Sequence, residues 1–197
     1  KNDLFDEQAF RLSNDVNINH KFNPIFDGSA NFTVTDTWED NNHDKSNYSY
    51  GARLRADYLE TLRQTLIYSG TYADESRGES LDNAIFLETY AELYKGWDMT
   101  FDQGATWENP ADGPDTSSLV VRVKNSMKPH ESFTLLADYS WRWEKEEDES
   151  YERRDRGRLR SFWSPIDTLS LSGTYRYQKS ESGTDTSWEY NLSWLPL

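Results

Sequence analysis

The chain has 197 residues, with 35 acidic side chains against 21 basic ones and a formal net charge of −14. Leu, Ile, Val and Phe make up only about a fifth of it, and mean hydropathy is −0.94. Few aliphatics with high net charge is the composition of a disordered chain. Yet 15% of residues are aromatic, including eight Trp and twelve Tyr, and disordered chains are poor in these. No apolar run approaches the ~20 residues of a membrane-spanning helix. The absence of Cys excludes disulfide frameworks, thiolate metal sites and Cys nucleophiles. The acidic balance argues against nucleic acid, whose phosphates require a basic face.

Apolar residues recur with period two almost throughout, the mark of strands with one apolar and one wet face. In 11–22, Leu12, Val16, Ile18 and Phe22 alternate with Arg11, Asp15, Asn17, Asn19 and Lys21. In 26–38 the apolar parity runs from Phe26 to Trp38, and in 48–62 Tyr48, Tyr50, Leu54 and Tyr58 alternate with Arg53, Arg55 and Asp57. Further strands are expected at 66–73, 84–94, 97–107, 118–127, 133–143, 156–163, 168–177 and 187–195. Eleven strands of roughly ten residues put over half the chain in strand, well above the ~20–25% of ordinary globular domains. No composition break divides the chain, so 1–197 reads as a single unit.

The connections alternate in kind. Short turns are expected at Asn23-Pro24, Arg63-Gln64, Lys95-Gly96, Lys128-Pro129-His130 and Ser164-Pro165. Long acidic loops are expected at 39–47, 74–83, 108–117, 144–155 and 178–186. All eight Trp fall on the apolar parity and near strand ends: Trp38, Trp107, Trp141, Trp143 and Trp188 beside long loops, Trp97, Trp163 and Trp194 beside short turns. Tyr48, Tyr72, Tyr177 and Phe26 extend the two rows. An indole at a membrane–water interface keeps its N–H wet and its ring in hydrocarbon, and two such rows flank the apolar band of a transmembrane β-barrel. A soluble β-sandwich also alternates but gives no reason to gather Trp at strand ends. The fold expected is therefore an all-β, antiparallel, up-and-down transmembrane barrel.

The chain resembles the porin-like outer-membrane β-barrel proteins of Gram-negative bacteria along nearly its whole length. The likeness lies in repeats such as Arg160-Ser-Phe-Trp-Ser-Pro-Ile-Asp-Thr-Leu-Ser-Leu171 and Glu189-Tyr-Asn-Leu-Ser-Trp-Leu-Pro-Leu197, where Trp, a turn Pro and alternating Leu follow one another. The resemblance implies an outer-membrane location with short turns periplasmic and long loops extracellular. It implies contact with lipid and lipopolysaccharide, and a non-catalytic role as channel wall or as a sheath around a lumenal or periplasmic partner, with the alternative of a structural scaffold in a multi-protein outer-membrane export or electron-transfer complex. Single-chain bacterial barrels have an even number of strands. Eleven therefore predicts a segment of a larger barrel, completed by further strands or other chains.

The wet parity carries the candidate lumen-facing charges: Arg53, Arg55, Asp57, Glu88, Glu92, Arg122, Lys124, Asp138, Arg142, Arg156, Arg158, Arg160 and Arg176. Arg at the lipid midplane would cost about 2–4 kcal/mol, so their placement opposite the Trp supports the topology. The row Arg156, Arg158, Arg160 is the sharpest feature, since three cations on one strand face create a local field. It meets either anionic solutes or neighbouring carboxylates. The acidic stretch Glu108–Asp115 lacks the spacing of a Ca²⁺ loop, and no residue spacing marks a metal or cofactor site. An enzyme reading would rest on His43 with Asp40 and Asp44, which lack a nucleophile constellation. The alternative outside membranes is a soluble, acidic β-sheet binding module.

Overall fold

The computed structural model describes residues 9–39, 42–75, 78–147 and 149–194. These form eleven strands: β1 Ala9–Lys21, β2 Phe26–Glu39, β3 Asn42–Leu59, β4 Leu62–Glu75, β5 Gly78–Tyr94, β6 Trp97–Asn109, β7 Thr116–His130, β8 Phe133–Glu146, β9 Glu152–Ile166, β10 Leu169–Ser180 and β11 Gly183–Trp194. All belong to one sheet in the order of the sequence, and every neighbouring pair is antiparallel. β1 and β11 each have a strand on one side only, so the sheet is open.

No second layer packs on this sheet. Among the described residues the only buried hydrophobic ones are Ala56, Ala73 and Val120, and no large side chain is fully buried. A sandwich would bury its inner faces in a shared core. Here Leu54, Leu66, Ile85, Leu119, Leu159 and Leu171 are all exposed. Such a face requires an apolar environment outside the protein, since exposed apolar patches of this extent are foreign to soluble monomers.

Two of the five expected short turns stand where placed. At Asn23-Pro24 the Asn23 Oδ1 accepts the N–H groups of Ile25 and Phe26, each at 2.8 Å. Lys95-Gly96 joins β5 to β6, with Gly96 at φ +79°, a left-handed value that suits a residue without Cβ. The other three are corrected. Arg63 and Gln64 pair with Asp57 and Ala56 inside β4, and the turn lies at residues 60–61. Pro129 lies in β7, within the register shift between Met127 and His130, and the turn follows at 131–132. Pro165 lies one residue before the end of β9, within the register shift opposite Leu169 and Leu171, and the turn falls at 167–168. Proline lacks the N–H a regular ladder needs and is accommodated at bulges, so it marks the rim of the sheet rather than the centre of the turn.

The long acidic loops are corrected more strongly. β2 runs to Glu39 and β3 begins at Asn42; β4 runs to Glu75 and β5 begins at Gly78; β10 runs to Ser180 and β11 begins at Gly183. Irregular connections remain between Asn109 and Thr116 and between Glu146 and Glu152. Polar side chains hold the extended strand ends together: Ser46 Oγ donates to Asp36 Oδ1 at 2.6 Å, Lys45 pairs with Glu75, and Thr106 and Ser118 hydroxyls meet at 2.8 Å. A β-ladder needs backbone partners, not apolar side chains, so it continues past the apolar band.

Candidate functional site

In an antiparallel ladder directly opposed residues share a face, so the register assigns every side chain to a side. On one face lie rows such as Ala30, Ala52, Tyr68 and Ile85, and Leu54, Leu66 and Leu87. The same face carries Trp38, Trp97, Trp107, Trp141, Trp143, Trp163, Trp188 and Trp194. Trp107 opposes Asn83 and Ser117, Trp143 opposes Leu119, Trp163 opposes Phe133 and Leu171, and Trp188 opposes Tyr175.

The aromatics form two bands. Toward the ends first read as loops, Phe10 and Trp38 rings lie 5.5 Å apart, Tyr48 and Tyr72 5.8 Å, Tyr139 and Trp141 4.5 Å, and Tyr175 and Trp188 4.3 Å. Toward the short turns, Phe26 and Tyr58 meet edge-on at 6.2 Å, and Tyr94 and Trp97 stack at 5.9 Å. Trp97 and Trp107 open and nearly close β6. Ten residues at about 3.4 Å each, tilted by about 40°, cover roughly 26 Å. That matches the ~25 Å apolar band of an outer-membrane barrel. The expectation that Trp sits at strand ends is corrected in part, because β8 and β11 run on past Trp141 and Trp188.

The other face carries all thirteen candidate charges. Arg53 and Arg55 oppose Ser29 and Asp27; Asp57 opposes Arg63; Glu88 and Glu92 oppose Asp102 and Asp98; Arg122 and Lys124 oppose Asp102 and Thr100. Asp138 opposes Lys124 and Arg158, and Arg142 opposes Val120 and Arg154. Arg156 opposes Ser140 and Gln178, Arg158 opposes Arg176, and Arg160 opposes Leu136 and Thr174. Several form close ion pairs: Arg55–Asp57 at 2.8 Å, Lys124–Asp102 at 3.0 Å, Arg158–Asp138 at 2.8 Å and Arg176–Glu189 at 3.0 Å. Arg156 and Arg160 have no carboxylate partner among the described residues, and Arg160 Nε is buried without an acceptor.

Sequence reading missed two features here. The loop expected at 144–155 includes Arg154, yet β9 starts at Glu152, so Arg154 joins the row of Arg156, Arg158 and Arg160. Extending the even parity by one step would have found it. The second is a charge pair on the apolar face: Arg153 makes a fork to Asp155 (Nε–Oδ1 2.7 Å, Nη2–Oδ2 2.9 Å), with its guanidinium 5.8 Å over the Trp143 ring. It lies in the aromatic band, where a paired, stacked guanidinium is tolerated at the water interface. Of the enzyme candidate, Asp40 lies outside the described residues, and the backbone of His43 pairs with that of Trp38 at a register shift. No group of metal-ligating side chains gathers among the described residues.

No protein-family model matches the chain, and no curated protein sequence does. Solved structures match its fold. The siderophore receptor PirA from Pseudomonas aeruginosa is similar at TM-score 0.80 with 11% identity, over 97% of this chain and 39% of that one. The outer membrane channel DcaP of Acinetobacter baumannii is similar at TM-score 0.62 with 10% identity, over 90% of this chain and 60% of that one. OmpT, an outer membrane protein of Vibrio cholerae, is similar at TM-score 0.54 with 7% identity, over 87% of this chain and 86% of that one. The fold is thus that of the outer-membrane β-barrel proteins, antiparallel and up-and-down, and the chain spans well under half the length of PirA.

Proposed function

We propose that this sheet is a segment of the wall of a larger outer-membrane barrel, non-catalytic, lining a water-filled channel with its charged face. The observation that carries this reading is the register, which sets eight Trp and aliphatics such as Leu54, Leu66, Leu119 and Leu159 on one face and thirteen candidate charges on the other. Lipid covers the first face, and lipopolysaccharide surrounds its outer rim. In hydrocarbon a strand edge cannot stay unpaired, so further strands complete β1 and β11. β1 and β11 are both odd in the strand order and run the same way. An all-antiparallel closure therefore needs an odd number of additional strands. The tight turns at 60–61, 95–96, 131–132 and 167–168 lie on the periplasmic side, and the extended hairpins face outward, as in barrels of this kind.

A second reading, a sheath or scaffold around a lumenal or periplasmic partner, is favoured by apolar side chains on the charged face. Ile67 opposes Phe86 there, and Ile67 and Phe162 are 38% and 42% exposed. Planar-bilayer recording of the whole protein separates the two. The channel reading expects stepwise ohmic conductance; a sealed wall around a partner gives none. A protein that stays monodisperse without detergent would contradict both.

A further inference from the structure

We propose that the charged face of β7–β9 holds a binding site for a phosphate-type oxyanion, built from Arg122, Arg142, Arg154 and Arg156. These four line one recess of about 160 Å³ together with Val120 and Ser140, and no carboxylate lines it. The register explains the convergence. Arg142 lies directly opposite Arg154, and Arg122 and Arg156 flank Ser140 from either side. Like charges directly opposed across a ladder destabilise it, and here one such pair, Arg142 and Arg154, stands beside two further guanidiniums, Arg122 and Arg156, in a chain whose net charge is −14.

The surrounding carboxylates do not consume this charge. Arg122 lies 3.7 Å from Asp102, which Lys124 already holds at 3.0 Å. Glu144 stands 3.9 Å from Arg142 and 3.5 Å from Arg154, and Glu152 stands 3.4 Å from Arg154. Charge-assisted N–H···O bonds close to about 2.7–2.9 Å. Ion pairs elsewhere on the same face reach 2.8 Å, as in Arg158–Asp138 and Arg55–Asp57. The four guanidiniums thus keep donors to spare, and Arg156 has no carboxylate at all among the described residues. Planar forks converging from three strands suit a tetrahedral, multiply charged oxyanion, which accepts several at once. The recess admits a phosphate group. A second recess, shared at Arg122 and Arg156 and lined also by Lys124, Arg158 and the Asp138 carboxylate that Arg158 holds, leaves room for the remainder of a phosphate monoester.

The site rests on the charged face being water-lined, and the test separates the two claims. The whole protein in micelles at low ionic strength is titrated calorimetrically with inorganic phosphate, with a phosphate monoester and with chloride. Both phosphates are expected to bind, chloride not. Arg156→Gln should weaken phosphate binding about tenfold, the loss of one charged hydrogen-bonding contact, and Arg156→Lys should fall between. Arg53→Gln, which removes another cation of the same face that has no carboxylate partner among the described residues, should leave binding unchanged. Equal loss in Arg53→Gln and Arg156→Gln, or no binding by the parent protein, overturns the site. In lipid vesicles Ser140→Cys should react with a charged maleimide and be protected by phosphate. Reaction without protection overturns the site while the wet face stands; no reaction overturns both.

Discussion

Gly104 lies directly opposite Phe86 on the charged face, and the Phe86 ring occupies the space that a Cβ on Gly104 would fill. The same relationship joins Gly70 to Tyr50 and Gly157 to Tyr139, each pair directly opposed across its ladder. An aromatic laid over a strand glycine covers backbone that would otherwise be open and restores packing the glycine lacks. In a sheet with no second layer, this is how large rings find a place on the wall.

Gly104→Ala must therefore displace the ring of Phe86 and also crowds the backbone carbonyl of Ile85. The expected cost is about 1–3 kcal/mol, that of overpacking a tight site, read as a lower urea midpoint for unfolding from micelles. Gly104→Ala combined with Phe86→Leu should recover part of it. Unchanged stability in Gly104→Ala alone would show that the ring does not rest there.

The apolar face should reject charge according to depth. Leu87 stands between Leu66 and Gln103, midway between the aromatic bands. Leu87→Arg is expected to cost about 2–4 kcal/mol in refolding into bilayers. Ser69→Arg, on the opposite face between Gly51 and Ala84, should cost far less. Equal penalties would remove the distinction between a lipid face and a water face.

Asp138 accepts from both Nε and Nη2 of Arg158, at 3.1 and 2.8 Å. The pair is partly exposed, so Asp138→Asn should change stability by less than about 1 kcal/mol. Its effect should appear in conduction, since it removes an anion from a wall already rich in arginine. The reversal potential in a salt gradient is expected to move toward anion preference. A shift toward cations would contradict the assignment of this face to the channel.

The edges of the sheet give a separate test of closure. Every side chain described in β1 and β11 is exposed in this chain by itself. If further strands pair with them in the whole barrel, amide exchange across Val16–Asn19 and Tyr190–Trp194 should be as slow as in β6. Rapid exchange confined to these two strands would mean that the edges remain open.

The fold was legible because period two is a strong signal when one face is uniformly apolar. Each of Trp38, Trp107 and Trp163 fixes the parity of its strand, and each lies on the face that parity predicts. What was not legible was where strands end. Acidic and hydroxyl residues at 39–47 and 74–83 read as loop by composition, but Asp36–Ser46 and Lys45–Glu75 contacts belong to continuing ladders. The same misreading hid Arg154. The turns expected at Pro129 and Pro165 lie two or three residues further on, because these prolines sit at bulges just before the turn, whereas Pro24 lies in the turn itself. The basic recess could not be read at all, since Arg122, Arg142, Arg154 and Arg156 meet only through the register of three strands.

The central claim is that one face of this sheet meets lipid and the other water, and a cysteine scan of β7 tests it most directly. The 197 residues contain no Cys, so the scan uses a whole protein in which any Cys outside them is replaced, and each introduced thiol then reports alone. In the whole protein in lipid vesicles, Cys at Arg122 and Lys124 should react with a charged, membrane-impermeant maleimide. Cys at Leu119, Val121 and Val123 should stay protected, and labels placed there should be quenched from the lipid phase. Strict alternation is the predicted result; uniform reactivity along 119–124, or protection at 122 and 124, would contradict it.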